Sequence, residues 1–257
     1  MNTKNKIRAK KKFGQNFLIN EDVAKKIISS INYQKYNQVI EIGPGTGMLS
    51  KYLIKVCEPI LIEVDEDAVY YLKKNIPQIN NIILADFIKI DLNPFLKKTN
   101  TIIGNFPYNI STQILFKILN YKNNIQTVVG MFQKEVAERI CSKPKSKKYG
   151  IISVFIQTYY NAEILFNVQK ENFSPQPKVE SSVIKLTRNK TKKLNCDEEL
   201  FKILVKTSFN QRRKKLKNAL KTKIIDFEKI GLDLLNKRAE ELSVDDFITL
   251  TNLVHQK

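Results

Sequence analysis

Val39-Ile40-Glu41-Ile42-Gly43-Pro44-Gly45-Thr46-Gly47-Met48-Leu49-Ser50 is an apolar run that ends in three glycines spaced two apart and continues into an amphipathic segment. The pattern predicts a strand, a tight turn and the first turn of a helix. Glycine in such a turn lets the backbone take positive φ and lets a ligand approach the main chain closely. A helix start adds unpaired N–H groups and the positive end of a dipole. The spacing is G-x-G-x-G, not the G-x-G-x-x-G of dinucleotide enzymes. A glycine turn after a strand is often only a turn, so the flanking residues decide the reading.

Downstream, Met48–Val56 reads as a helix and Pro59–Asp65 as a second buried strand. Glu63 lies 16 residues past Gly47. In a βαβ unit that spacing puts a carboxylate at the tip of the next strand, beside the glycine turn, where it can accept both hydroxyls of a ribose. Asp65, Glu66 and Asp67 read as solvated strand-end acids. Asp67–Asn75 is helical by pattern and Pro77 stops it. Asn81–Asp86 is a third strand ending in an acid, and Asp86 there can accept an adenine amino group. Phe87 beside it covers the ring face or packs in the core.

Thr101–Gly104 is the fourth strand and should lie next to the first, across the switch point. It leads into Asn105-Phe106-Pro107-Tyr108-Asn109-Ile110-Ser111, an amide, a fixed proline and an aromatic at the carboxyl end of a strand. That set suits one kind of chemistry. An exocyclic adenine amine is a poor nucleophile because its lone pair is delocalised into the ring. Two acceptors on its two N–H groups, the Asn105 oxygen and a backbone carbonyl of Phe106 or Pro107, draw the nitrogen towards tetrahedral geometry and free the lone pair. Tyr108 can stack on the base. Positioning and preorganised electrostatics then suffice without a general base.

Upstream, residues 1–12 carry Lys4, Lys6, Arg8, Lys10, Lys11 and Lys12 and no acid. They form either a solvated tail or an arm that contacts phosphates. Lys12-Phe13-Gly14-Gln15-Asn16-Phe17-Leu18 follows, then a helix over Asp22–Ile31 with Val23, Ile27, Ile28 and Ile31 on one face.

These stretches in their order resemble the motifs of the rRNA adenine N6-dimethyltransferases. The resemblance continues through Gln133–Ile140, Lys148-Tyr149-Gly150, Phe173–Val179 and Ser208–Leu220, and so covers nearly the whole chain. It implies a Rossmann-like class I methyltransferase sheet, α/β and mostly parallel with an antiparallel hairpin at the end, plus a small C-terminal α-helical domain. It implies S-adenosylmethionine as methyl donor and no metal. Asn16 and Leu18 would close over the cofactor, Gly43 and Gly45 would lie beneath it, Glu63 would hold the ribose and Asp86 the adenine. Asn105, Pro107 and Tyr108 would carry the catalysis, with Asn105 also lining the cofactor. Phe106, Tyr108 and Phe173 would contact the target base. Two positions depart from the family pattern: Phe106 stands where Leu or Ile is usual, and Gln176 where Pro is common. The first could narrow the target pocket, although a backbone carbonyl is its expected contribution.

Beyond Val128 the pattern predicts a fifth strand, a helix over Glu135–Cys141 and a basic loop at Lys143–Lys148. Ile151–Ile156 fits helix or strand by pattern, and the resemblance implies helix. Ala162–Val168 and Ser181–Leu186 should form the closing hairpin. The catalytic domain is expected over residues 1–190 and a basic helical domain over 191–257. Within the latter, Leu200–Ile225 holds nine Lys or Arg and no acid. Compositional drift would spread charge evenly, so this block, with Arg212, Arg213, Lys214 and Lys215 at its centre, is expected to contact RNA. The stretch Arg212–Leu220 resembles the small-subunit (16S) branch of the family more than the branch that modifies large-subunit rRNA.

Composition agrees with that reading. The 257 residues are 42% hydrophobic, enough for one large and one small domain, and the net charge of +19 favours a polyanionic partner. The three cysteines have no metal or disulfide spacing and fit a reducing compartment. A single histidine, His255, nearly excludes His-based triads and metal sites. No apolar run reaches membrane-spanning length. A cytoplasmic, monomeric protein acting on small-subunit rRNA or an immature small ribosomal subunit is the expectation.

Overall fold

The computed structural model describes residues 7–221 and 230–255. Lys4 and Lys6 of the basic tail and Lys223 of the basic block lie outside the described residues. The chain forms two compact units. One runs up to Ala137 and resumes over Ala162–Arg188; the other comprises Glu138–Asn161 and the chain from Asn189 onward.

The first unit opens with β1 (Phe17–Leu18) and α1 (Glu21–Ser29). Asn20 caps α1 by accepting from the N–H groups of Asp22 and Val23, with Glu21 and Asp22 in the first turn complementing the helix dipole. There follow β2 (Gln38–Ile42), α2 (Ser50–Leu53), β3 (Ile60–Glu63), α3 (Glu66–Asn75), β4 (Ile82–Leu84), β5 (Asn100–Asn105), α4 (Ser111–Asn120) and β6 (Ile125–Gln133). α5 (Lys134–Cys141) and α6 (Ile151–Tyr159) precede β7 (Tyr160–Val168), β8 (Phe173–Ser174) and β9 (Ser181–Arg188). Seven strands make one sheet in the order β4-β3-β2-β5-β6-β9-β7, and β1 and β8 form a separate pair.

β2 pairs in parallel with β3 on one side and β5 on the other, so the order reverses at β2 as expected. β3–β4 and β5–β6 are also parallel, and β9 runs antiparallel to β6. Strands β2, β5 and β6 are buried almost along their length. This is the pattern of a sheet covered on both faces by its crossovers. The regular part of α2 is only four residues, flanked by turns, where the periodicity predicts a helix from Met48 to Val56.

The second unit holds α6, α7 (Glu198–Asn210), α8 (Leu216–Ala219), α9 (Leu232–Asn236) and α10 (Val244–His255). Its division differs from the expected boundary at residue 190, because α6 belongs here. The reason is apolar burial: Phe155 of α6 packs on Phe201 (6.3 Å between ring centres) and Tyr149 on Phe209 (6.1 Å), with Phe247 touching both Phe201 and Phe209. Ile151–Tyr159 is a helix, as the resemblance implies and the pattern alone leaves open. Asp197 caps α7 by accepting from Glu199 and Leu200.

Candidate active site

Because β2, β3, β4 and β5 are parallel, their carboxyl ends share one edge, where ligands sit in open α/β sheets. A cavity opens at that edge. Asn16, Leu18, Gly43, Gly45, Glu63, Asp86 and Asn105 all line it, together with Phe106, Pro107 and Tyr108.

The glycine turn shapes the floor. Gly43 and Gly45 have φ of +64° and +55°, a region a side chain would strain. A Cβ at Gly45 would also lie 2.9 Å from the Phe17 ring. Glycine therefore lets the segment before α1 close against the turn. The amides of the three glycines are already used: Gly43 donates to the Ile62 carbonyl (2.9 Å), Gly45 to Glu63 Oε2 (3.0 Å) and Gly47 to the Pro44 carbonyl (2.8 Å). At its three glycines, therefore, the turn offers close approach rather than free donors.

Glu63 is buried, and its Oε1 accepts from the amides of Val64 (2.9 Å) and Asp65 (3.0 Å). Burial pushes its carboxyl above the ordinary value while these backbone donors pull it back. With Gly45, three of the roughly four acceptor positions of the carboxylate are filled. One hydroxyl can be accepted directly, and a second would displace a backbone amide. Asp86 is partly exposed, and its Oδ1 accepts from Ile88 (2.9 Å). Phe87 is buried and also lines the cavity.

Asn105 ends β5. Its Nδ2 donates to the Asn16 carbonyl at 2.8 Å, which leaves Oδ1 as the acceptor of that amide. The Tyr108 hydroxyl meets Ser181 Oγ at 2.5 Å, and burial raises the phenol above its usual range. Phe106 does not narrow the cavity with its ring. The ring is buried edge-on against Phe132 (5.2 Å, 81°), in space left by Gly104 and Gly130. A Cβ at Gly104 would lie 2.7 Å from it. Two glycines thus absorb the larger side chain.

A second, wider groove shares Gly14, Gln15, Asn16, Leu18 and Tyr108 with this cavity and extends past Arg8, Lys11, Gln133, Gln176 and Lys178. Phe173 lines neither space. It pairs with Leu18 in the β1–β8 ladder and is 3% exposed, packed in the cluster that holds Ile27 and Ile28. The expected stacking face is therefore corrected to a core contact in this conformation.

Sequence reasoning missed several groups here. Glu41, 1% exposed, lines the cavity, and among the described residues its carboxyl takes a hydrogen bond from Ser50 Oγ alone (2.7 Å). Burial lifts it to about 8, with the Ser50 hydrogen bond opposing and Glu63 adding to the rise. Its signal was an acid inside an apolar strand. Asp65 is not solvated: it is 1% exposed and takes Lys10 Nζ and Gln15 Nε2 at 2.6 and 2.9 Å.

In the second unit, Arg213, Lys214 and Lys215 are exposed in the turn between α7 and α8. Arg212 is not equivalent. Its Nε donates to Glu240 (2.7 Å) and its Nη2 to the carbonyls of Ser146 and Lys147. It ties the basic loop Lys143–Lys148 to the block around α8, joining two basic segments far apart in sequence. Part of the predicted RNA contact at Arg212 is thus spent on internal structure.

The model of the family "Ribosomal RNA adenine dimethylase" matches residues 6–256. The chain belongs to this family. It is accordingly an enzyme of ribosomal RNA adenine dimethylation, with the class I methyltransferase fold. The "Ribosomal RNA small subunit methyltransferase A" of Cytophaga hutchinsonii is 47% identical, covering 98% of this chain and 99% of the relative. That of Flavobacterium johnsoniae is 48% identical over 97% of each. A crystal structure of a dimethyladenosine transferase from Plasmodium falciparum has a TM-score of 0.79 at 25% identity, covering 91% of this chain and 95% of that one. A 23S rRNA methyltransferase shares the fold at a TM-score of 0.72 and 21% identity, covering 94% and 100%. Among the described residues no helix is long and apolar enough to cross a membrane, and no group of three or more His, Cys, Asp or Glu could hold a metal ion.

Proposed function

We propose that this protein uses S-adenosylmethionine to dimethylate N6 of two adjacent adenosines in the 3′-terminal hairpin loop of small-subunit (16S) rRNA. It acts as a monomer in the cytoplasm on the rRNA of an immature small ribosomal subunit, and so contributes to subunit biogenesis. The choice of small over large subunit rests on relatives at 46–48% identity that carry the small-subunit name. A loop adenine also needs less unstacking than a paired one.

The observation that carries the reading is Asn105. Its Nδ2 is engaged by the Asn16 carbonyl, and it lines the same cavity as Glu63 and Asp86. The cavity fits the cofactor in kind. A buried carboxylate with an acceptor position left stands at one strand tip, a partly exposed one at the next, and glycines replace side chains on the floor. Glu63 would take the ribose, Asp86 the adenine, and Gly43, Gly45, Asn16 and Leu18 would enclose the remainder. S-adenosylmethionine supplies an electrophilic methyl group on a sulfonium.

The chain's own residues do the rest. Asn105 Oδ1 and the carbonyl of Phe106 or Pro107 accept the two N–H groups of the target amine and localise its lone pair. Pro107 fixes the backbone that presents that carbonyl. Tyr108, shared by the cavity and the wider groove, stacks on the base, and its contact with Ser181 holds the ring. The amine loses its proton to water after transfer. Arg213, Lys214 and Lys215 supply phosphate contacts.

The test is methyl transfer from labelled S-adenosylmethionine to unmethylated small and large ribosomal subunits, with the labelled nucleoside mapped by mass spectrometry. Dimethyladenosine in the 3′-terminal hairpin of the small-subunit rRNA is the expected product. Label confined to the large subunit would move the protein to the large-subunit branch. Binding to small subunits without label would make it an assembly factor.

A further inference from the structure

The segment before α1 is held at two points. At its end, β1 pairs with β8. At its start it is tied to an acid that no sequence feature marks as a partner. Lys10 Nζ lies 2.6 Å from Asp65 Oδ1 and 2.6 Å from Asp67 Oδ2. The Lys10 amide donates to Gln15 Oε1 (2.8 Å), and Gln15 Nε2 donates to Asp65 Oδ2 (2.9 Å). A turn over Lys11–Phe13, ended by Gly14 at φ +62°, folds the segment back between these contacts. The residue after Gln15 is Asn16, whose carbonyl receives Asn105 Nδ2.

The Asp65 carboxylate is 1% exposed, the Lys10 side chain 33%. A buried carboxylate needs partners to stay charged. The capping contact from the Asp67 amide (3.2 Å) is one, and among the described residues the others come from this segment. The second consequence concerns Asn105. An amide side chain can present either its oxygen or its NH₂ to a ligand, and a fixed acceptor on one side selects which. The Asn16 carbonyl is that acceptor, and its place depends on the neighbouring residue, Gln15, staying on Asp65.

We propose that Asp65 is a positioning residue for the transfer step: it clamps the Lys10–Gln15 segment so that the Asn16 carbonyl meets the Asn105 amide and leaves Asn105 Oδ1 for the target amine. The inference rests on the functional reading above and adds residues to it. Asp65 touches neither cofactor nor substrate in this role. Opening the clamp lets the Asn105 amide turn over and present a donor where an acceptor is needed.

Two variants test it. Asp65→Ala removes the clamp together with the α3 cap; Lys10→Met removes only the cation and leaves the cap intact. Each is assayed for kcat at saturating S-adenosylmethionine, for cofactor KM, and for the rate of trypsin cleavage after Lys11 and Lys12, sites that both variants keep, in the cofactor-free protein. The expected result is a kcat lowered by about tenfold or more in Asp65→Ala, since small misplacements of reacting groups have large effects on rate. Lys10→Met should show a smaller loss in the same direction. Cofactor KM should change less than kcat, and cleavage should accelerate in both variants. A raised cofactor KM with unchanged kcat would overturn the proposal, because the segment would then serve cofactor retention alone. Unchanged cleavage would overturn it too, because the clamp would not be what holds the segment. If the unaltered protein transfers no methyl group, the functional reading falls and this role with it. An active unaltered protein whose variants keep kcat removes only the role of Asp65.

Discussion

Glu41 makes the pH dependence of stability predictable. Its carboxyl is buried, its hydrogen bond comes from Ser50 Oγ at 2.7 Å, and burial lifts it from 4.5 to about 8 in the folded protein. Below about pH 4.5 both folded and unfolded chains hold the proton, and Glu41 adds no pH dependence. Between 4.5 and 8 the unfolded chain releases it while the folded chain keeps it, so stability falls as pH rises. Above about pH 8 both states are ionised and the loss levels off. At about 1.4 kcal/mol for each pH unit, the window amounts to at most about 5 kcal/mol. Glu41→Gln keeps the shape and an acceptor for Ser50 but cannot ionise. Urea unfolding of both proteins at intervals from pH 5 to pH 9 should show the variant gaining on the unaltered protein steadily up to about pH 8 and holding that lead above it. Parallel stability curves would refute the reasoning, since they would mean that Glu41 titrates alike in the folded and unfolded chains.

Asn105→Ala should lower methyl transfer by about 10²–10³-fold or more, with RNA affinity within a few-fold; a single-turnover assay beside a filter-binding titration checks both, and near-normal turnover would sink the assigned mechanism. Gly130→Ala would drive a Cβ into the edge of the Phe106 ring and set it 2.7 Å from Phe132, and should destabilise the first unit by about 1–3 kcal/mol. Adding Phe106→Leu should return part of that loss, measured as the midpoint of thermal unfolding; equal midpoints in the single and double variants would mean that the Phe106 ring does not fill that space. Neutralising Arg213, Lys214 and Lys215 together should weaken RNA binding and flatten its dependence on salt by about 0.7–0.9 in log–log slope for each phosphate that is no longer neutralised. Arg212→Gln should act differently, loosening the Lys143–Lys148 loop by breaking the pair with Glu240. A salt slope left unchanged by the triple variant would reduce the block to surface.

What the sequence made legible is what one strand or one loop carries by itself. The buried runs of β2, β3 and β5, the glycine turn and the acids at Glu63 and Asp86 are local patterns, and the parallel topology brings their ends together. Asn105 was readable for the same reason, as an amide at a strand end followed by a fixed proline. The less legible features depend on partners distant in sequence. Lys10 and Asp65 are 55 residues apart, and Arg212 and Glu240 are 28 apart. Each of these residues looks like ordinary surface charge until the fold supplies its counterpart. Phe173 is a different case. The resemblance implies a contact with the target base, whereas the β1–β8 pair holds the ring in the core in this conformation.

The same distinction explains how the site is built. The residues proposed to have direct chemical roles stand at strand ends, where the sheet fixes them to within the register of neighbouring strands. The segment that meets them, Lys10–Leu18, has no such support. Its only strand is two residues long. A short strand pair and a clamp on one buried carboxylate must do for it what the sheet does for Asn105. The tie is an ion pair rather than an apolar contact: Lys10 is one-third exposed and Asp65 is buried. The departure at Phe106 follows the complementary logic. It lies inside the sheet, where nothing needs to move, and Gly104 and Gly130 accommodate it by packing alone. The segment before α1 is therefore held by charge, and the Phe106 ring by shape.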